Sequence, residues 1–252
     1  MSSILVAAGC SWTAARAIDS DPTAESFDYD HVEDPKFVKE YSFAGQLQRI
    51  LGLDELVIVA EHGSNNEEQI SRIIDTVNQN PNSKLFVLWG ITSIYRWRMY
   101  SATTGKVESC MVGRTFNTDL DKEVKYYFSH HWDKDVELKK LNEQIVLLDG
   151  YLTGLGIEHL FFNAFQNHAY TVVDNVYPID MLSFLCDRAG VRRSSSSVPW
   201  LNLSRDQDTQ FNSRAVKELQ TQGWLDRATA HPTVLAHRAI AEELYNYIKK
   251  EK

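Results

Sequence analysis

Four short, almost wholly apolar runs, each giving way to a turn with glycine or polar residues, set the limits on what this chain can fold into. They are Ile4-Leu5-Val6-Ala7-Ala8, Leu56-Val57-Ile58-Val59-Ala60, Leu85-Phe86-Val87-Leu88-Trp89 and His159-Leu160-Phe161-Phe162. None alternates apolar with polar residues, so each reads as a strand buried on both faces. Helical stripes lie between them. Phe43, Ala44, Leu47, Ile50 and Leu51 form one, stopped by Gly52; Ile70, Ile73, Ile74 and Val77 form another; Leu138, Leu141, Ile145, Leu148, Leu152 and Leu155 form the longest, closed by Gly154 and Gly156. Strands that alternate with helices predict an α/β fold, a three-layer α/β/α sandwich around a central parallel sheet. Right-handed crossovers would then bring every strand's C-terminal end to one rim.

A length of 252 residues suits one domain, 1–252, and no internal repeat or linker divides it. From about 94 to 132 the periodicity fails. Tyr95, Trp97, Tyr100, Phe116, Tyr126, Tyr127, Phe128 and Trp132 are interleaved with polar residues there. This stretch reads as an insertion over the sheet's edge, with a hairpin around Thr104-Gly105. Trp12 to Ile18 predicts a short helix, Asp19 to about Lys36 an acidic loop, and Ile179 to Cys186 a helix. Arg192 to Pro199 reads as a loop, Asp206 to Gln222 as weakly helical, and Thr233 to Lys249 as a final helix with His237, Ile240, Ala241, Leu244 and Ile248 on one face.

Composition removes several classes of function. The net charge is −8 and no stretch gathers Lys and Arg on one face, so neither nucleic acid nor an anionic membrane is an expected partner. Three scattered cysteines, Cys10, Cys110 and Cys186, build neither a disulfide framework nor a metal cluster. His130, His131, Asp133 and Asp135 lack zinc-type spacing. Gly154-Leu155-Gly156 ends a helix and precedes a strand, the reverse of a dinucleotide fingerprint. No phosphate-cradling loop is present, and neither cofactor nor metal is expected. Val6-Ala7-Ala8-Gly9-Cys10 has the look of a lipoprotein cleavage site but lacks a basic leader, and no run reaches the roughly 18 apolar residues of a membrane span. A cytoplasmic protein is the expectation.

The rim collects the chemistry. Ser11 follows the first strand, His62-Gly63-Ser64-Asn65-Asn66 the second, Gly90-Ile91-Thr92-Ser93 the third and Asn163 the fourth, while His231 precedes the last helix. A serine nucleophile, a histidine base and converging donors for an oxyanion are what acyl transfer to water needs. Each residue also has a plainer reading. Ser11 could N-cap a helix, Gly63 could serve only its turn, Thr92 could be a second turn residue, and His231 could mark a helix boundary. Ser64 with Glu67 forms a capping box. Cys10 points away from Ser11 and His237 packs in the core. Asp226 is either surface charge or a partner for His231.

The order of these blocks resembles the SGNH (GDSL-like) hydrolase superfamily. Gly9-Cys10-Ser11-Trp12 stands where that family has Gly-Asp-Ser, Gly63 where it has its second-block glycine, and Gly90-Ile91-Thr92-Ser93 where it has Gly-x-Asn-Asp. His231-Pro232-Thr233 is similar to its C-terminal His-Pro block. The resemblance implies a flavodoxin-like SGNH fold and a serine esterase acting on a small-molecule or carbohydrate acyl ester. Ser11 would be the nucleophile and His231 the base, with the N–H groups of Ser11 and Gly63 and the Thr92 hydroxyl holding the oxyanion. Two positions depart from the family. Thr92 replaces its asparagine, and Ala228 replaces the aspartate three residues before the histidine, which leaves Asp226 as the nearest upstream carboxylate. The Gly-Cys-Ser and Gly-Ser-Asn blocks also resemble hydrolase-like proteins of bacteriophages, a reading compatible with association with virions. The alternative is an impaired SGNH-like domain that binds or scaffolds.

Overall fold

The computed structural model describes residues 2–19, 21, 33–111, 120–165, 173–192 and 214–251. Its centre is a five-stranded sheet in which every pairing is parallel. β1 (Ser3–Ala8) lies between β2 (Glu55–Ile58) and β3 (Lys84–Ile91), and β6 (Glu158–Asn163) and the two-residue β7 (Val176–Tyr177) continue beyond β3. The order is therefore β2-β1-β3-β6-β7, that of the flavodoxin-like doubly wound sheet.

Alternation along the strands supplies the two cores. Leu5 and Ala7 of β1, Phe86 and Leu88 of β3, and Leu160 and Phe162 of β6 face one side. There they meet α2 (Phe43–Ile50), α6 (Met181–Arg188), α7 (Arg214–Thr221) and α8 (Val234–Glu251), with α1 (Pro35–Tyr41) beside α2 and α8. Ile4, Val6, Ala8, Val87, Trp89 and Phe161 face the other side, against α3 (Asn66–Gln79) and α5 (Lys134–Gly154). Beyond their first residues, Ser3 and Lys84, β1 and β3 carry no polar side chain, as two covered faces demand. β2 forms an edge of the sheet, is only half-buried and ends at Ile58, two residues before its apolar run does.

The insertion contains a two-stranded antiparallel hairpin, β4 (Arg96–Ser101) and β5 (Lys106–Met111), turning at Ala102 to Gly105 as expected. α4 (Leu120–His130) packs Leu120 and Val124 on the hairpin's Cys110 and Trp97. Tyr95 stacks on Trp132 at 4.7 Å between ring centres, joining the insertion to the α3/α5 layer. Phe116 lies outside the described residues, as do the loop 193–199, the stretch 206–213 and most of the acidic loop. Of the last three helices expected, α6 and α8 occupy nearly their expected spans, and α7 takes the second half of its own.

Two local expectations are corrected. Trp12 to Ile18 is not a helix but a series of turns, because Ala15 and Ala17 adopt φ of 57° and 60°, left-handed values that interrupt helical hydrogen bonding. The cap of α3 is Asn65, whose side chain accepts from Glu68 N–H at 3.0 Å. Ser64 is one residue early and its hydroxyl is engaged elsewhere.

Among the described residues, no helix is long and apolar enough to cross a membrane.

Candidate functional site

The chain leaves β1 toward β2 on one side and then crosses to β3 on the other. The C-terminal ends of β1 and β3 therefore flank the switch point where open α/β sheets bind ligands. Ser11 sits there. Gly9 makes the turn possible, since with φ of 154° a Cβ would stand 2.2 Å from Thr13 Oγ1 and 3.1 Å from the Gly90 carbonyl oxygen. Gly90 presses on the same hydroxyl from the next strand, where its own Cβ would lie 2.7 Å from Thr13 Oγ1. The Cys10 carbonyl accepts from the N–H groups of Thr13 and Ala14, and the Ser11 carbonyl from Arg16 N–H at 3.0 Å. Ser11 caps no helix, and among the described residues its hydroxyl has no hydrogen-bond partner.

The second station is locked to the first by hydrogen bonds. Ser64 Oγ lies 3.0 Å from the Gly9 carbonyl oxygen and 2.9 Å from that of Glu61, donating to both. Gln69 Nε2 donates to Ser64 Oγ at 3.0 Å, and Gln69 Oε1 accepts from the fully buried Trp89 Nε1 at 2.7 Å. A continuous chain thus runs from β3 through α3 to the turn that carries Ser11. Gly63 precedes Ser64 in a turn of its own, with φ of 68°, a value that suits glycine.

Thr92, at the end of β3, is fully buried. Asn66 holds its backbone at both ends, accepting from Thr92 N–H at 2.9 Å and donating to its carbonyl at 3.0 Å. The Thr92 hydroxyl is left with no partner, as are Asn65 Nδ2 and Asn163 Oδ1. Buried polar atoms without partners are uncommon and mark places where a protein keeps bonding capacity in reserve. Thr92 and Asn163 stand at the C-terminal ends of β3 and β6, and Asn65 caps α3.

His231 is brought in by a tight loop. Leu225 pairs with Pro232 in an isolated antiparallel bridge, and Asp226 N–H donates to the His231 carbonyl at 2.8 Å. Asp226 Oδ1 accepts from both the N–H and the hydroxyl of Thr229 at 2.8 Å, and Ala230 turns the chain with φ of 54°. The Asp226 carboxylate therefore braces the loop, and among the described residues it makes no hydrogen bond to the His231 ring. His231 Nδ1 is buried without a partner.

Burial pushes the His231 imidazole down to about 3, helped by the positive charges of His62, Arg96 and Arg16; the Thr229 backbone acts weakly the other way. His231 is therefore neutral over the ordinary pH range. The groups that act on it belong to the rim: Arg16 follows Ser11, His62 precedes Gly63 and Arg96 begins β4. Arg16 is paired with Glu33 at 3.1 Å. His62 is itself lowered by desolvation and Arg16. In the first turn of α8, His237 is fully buried, accepts from Phe43 N–H at 3.1 Å and is also pushed to about 3 by burial.

Sequence reasoning missed Arg96, Asn65 and Asn66. The asparagines stood in a Gly-Ser-Asn-Asn turn where any of three residues could cap the helix. Arg96 lay inside the insertion, with nothing in the sequence to join it to the rim.

No family model matches the chain, and no curated protein matches it. Among solved structures, the crystal structure of the psychrotrophic esterase EstA from Pseudoalteromonas sp., in a form inhibited by monoethylphosphonate, is similar over 99% of this chain and 98% of that chain, at a TM-score of 0.42 and 10% identity.

Proposed function

We propose that this protein is an SGNH-type serine esterase acting on acyl esters. One observation carries the reading: an unbonded serine hydroxyl at the switch point shares its rim with a buried histidine whose Nδ1 has no partner. Ser11 Oγ would attack the ester carbonyl carbon while the His231 ring takes the hydroxyl proton. The tetrahedral oxyanion would be held by the N–H groups of Ser11 and Gly63 and by the Thr92 hydroxyl. Collapse would expel the alcohol, protonated by His231, and water activated by the same ring would release the acid and free Ser11. No cofactor enters these steps.

A second reading, an impaired domain that binds rather than hydrolyses, is favoured by one feature. No carboxylate among the described residues bonds the His231 ring and its Nδ1 has no partner, so its orientation rests on packing.

A fluorophosphonate probe separates the two. Adduct at Ser11 in the wild type, lost in Ser11→Ala and strongly reduced in His231→Ala, together with turnover of short acyl esters, is the outcome expected of an esterase. Folded wild-type protein that neither labels nor turns over would leave only the binding reading.

A further inference from the structure

Arg96 is the conspicuous group at this rim that the steps above do not use. It is half-buried at the start of β4 in a chain of net charge −8, yet among the described residues it forms no ion pair. A guanidinium carries five N–H donors. Here one contact is made, a long 3.4 Å bond from Nη1 to the Ser64 carbonyl, while Nε is buried without any acceptor. The cation also lies 5.8 Å from the centre of the Phe165 ring. Arg16, the other arginine acting on His231, has its carboxylate in Glu33. The two cations differ in that one is neutralised by the fold and the other is not.

Holding a cation partly out of water without an anion costs stability, and arginine's planar fork is suited to binding a carboxylate or phosphate through paired hydrogen bonds. The two ends of its environment fix where such an anion would sit. Ser64 is bonded to the Gly9 carbonyl beside the nucleophile turn, and Phe165 packs on Trp12 with ring centres 4.9 Å apart. Arg96 therefore flanks the Ser11 turn rather than a remote surface.

We propose that Arg96 binds an anionic group of the substrate, so that the preferred esters carry a carboxylate or phosphate close to the scissile bond. This deepens the esterase reading and rests on it for the word substrate, but the anion site itself can be measured without turnover.

The probe set is three acetate esters of one shape: 4-acetoxybenzoate, 4-acetoxyphenyl phosphate, and neutral methyl 4-acetoxybenzoate. Binding to Ser11→Ala is measured by calorimetry, and kcat/KM is measured on the wild type. At least one anion should bind about tenfold or more tighter than the neutral ester, and comparison of the two anions says whether carboxylate or phosphate is preferred. Adding Arg96→Gln should erase that preference while leaving the neutral ester within about twofold; Arg96→Lys should keep part of it. Equal binding of charged and neutral esters, or a preference that survives in Arg96→Gln, would overturn the proposal. If Arg96→Gln does not fold, the folded Ser11→Ala protein still decides by the charged-against-neutral comparison, with Arg96→Lys as the second variant. Turnover without anion preference sinks the anion site alone, whereas anion preference without turnover sinks the esterase alone.

Discussion

The side chain of Asn66 brackets the backbone of Thr92, its Oδ1 accepting from the Thr92 N–H at 2.9 Å and its Nδ2 donating to the Thr92 carbonyl at 3.0 Å. One amide thus stands in for a missing strand partner just beyond the end of β3. Both backbone groups belong to a fully buried residue, so removing the amide leaves two unpaired groups at about 1–3 kcal/mol each. Asn66→Ala should lower unfolding free energy by roughly 2–5 kcal/mol in urea titration. Asn66→Asp should do no better at neutral pH, because it turns a second oxygen toward the Thr92 carbonyl.

The Thr92 hydroxyl itself has no partner, which separates stability from chemistry. Thr92→Val removes the hydroxyl at nearly constant shape and should leave stability unchanged or slightly raised. If the hydroxyl serves the oxyanion, kcat should fall by about 10²-fold, the usual cost of one such donor. A kcat unchanged within twofold would confine the oxyanion donors to backbone N–H groups.

Asp226 braces a loop through Thr229, and an asparagine can still accept both bonds. Asp226→Asn should therefore reduce kcat by less than about tenfold, against the roughly 10⁴ seen when a histidine-orienting aspartate is neutralised. Asp226→Ala should instead destabilise the fold by about 1–3 kcal/mol, read from thermal or urea unfolding, since Thr229 loses its acceptor.

His231 and His237 give the pH dependence its sign. Both are held neutral in the folded chain, pushed to about 3, whereas in the unfolded chain they protonate near 6.5. Between those values the unfolded state holds protons that the native state does not, so stability falls as pH drops from about 6.5 toward 3. Each histidine contributes a slope of up to about 1.4 kcal/mol per pH unit. His237→Asn keeps an acceptor for Phe43 N–H but cannot titrate, and should flatten the slope measured by urea unfolding at several pH values. In kinetics, the acid limb of kcat/KM should lie well below pH 6.5.

Much of this architecture was legible because buried parallel strands leave a simple mark. β1, β3 and β6 are apolar at nearly every position since both faces are covered, and each matches its run within a residue or two. β7 was invisible: Val176 and Tyr177 are too few to show any period. The stretch after Ser11 misled because its alanines favour a helix locally, while the fold tucks Thr13 between Gly9 and Gly90 and forces left-handed turns. At the rim, residue types and order marked Ser11, Gly63, Thr92 and His231 as candidates. The division of labour among neighbours was hidden. Ser64 spends its hydroxyl on two carbonyls, so capping passes to Asn65, and only the folded chain shows that Arg96 reaches the rim.

The bond between Phe43 N–H and His237 Nδ1 joins positions 194 residues apart. Closing so long a loop costs about 5 kcal/mol of chain entropy before the contact returns anything, so docking of α8 on α2 belongs to the end of folding. β1, β2 and β3 all lie before Thr92, in the first half of the chain, and can pair while the remainder is still being made. Ser11 would then take its place on a formed sheet edge long before His231 exists beside it. On the esterase reading proposed above, a half-made chain would be chemically silent, and Ser11 would gain its base only when the last helix seats.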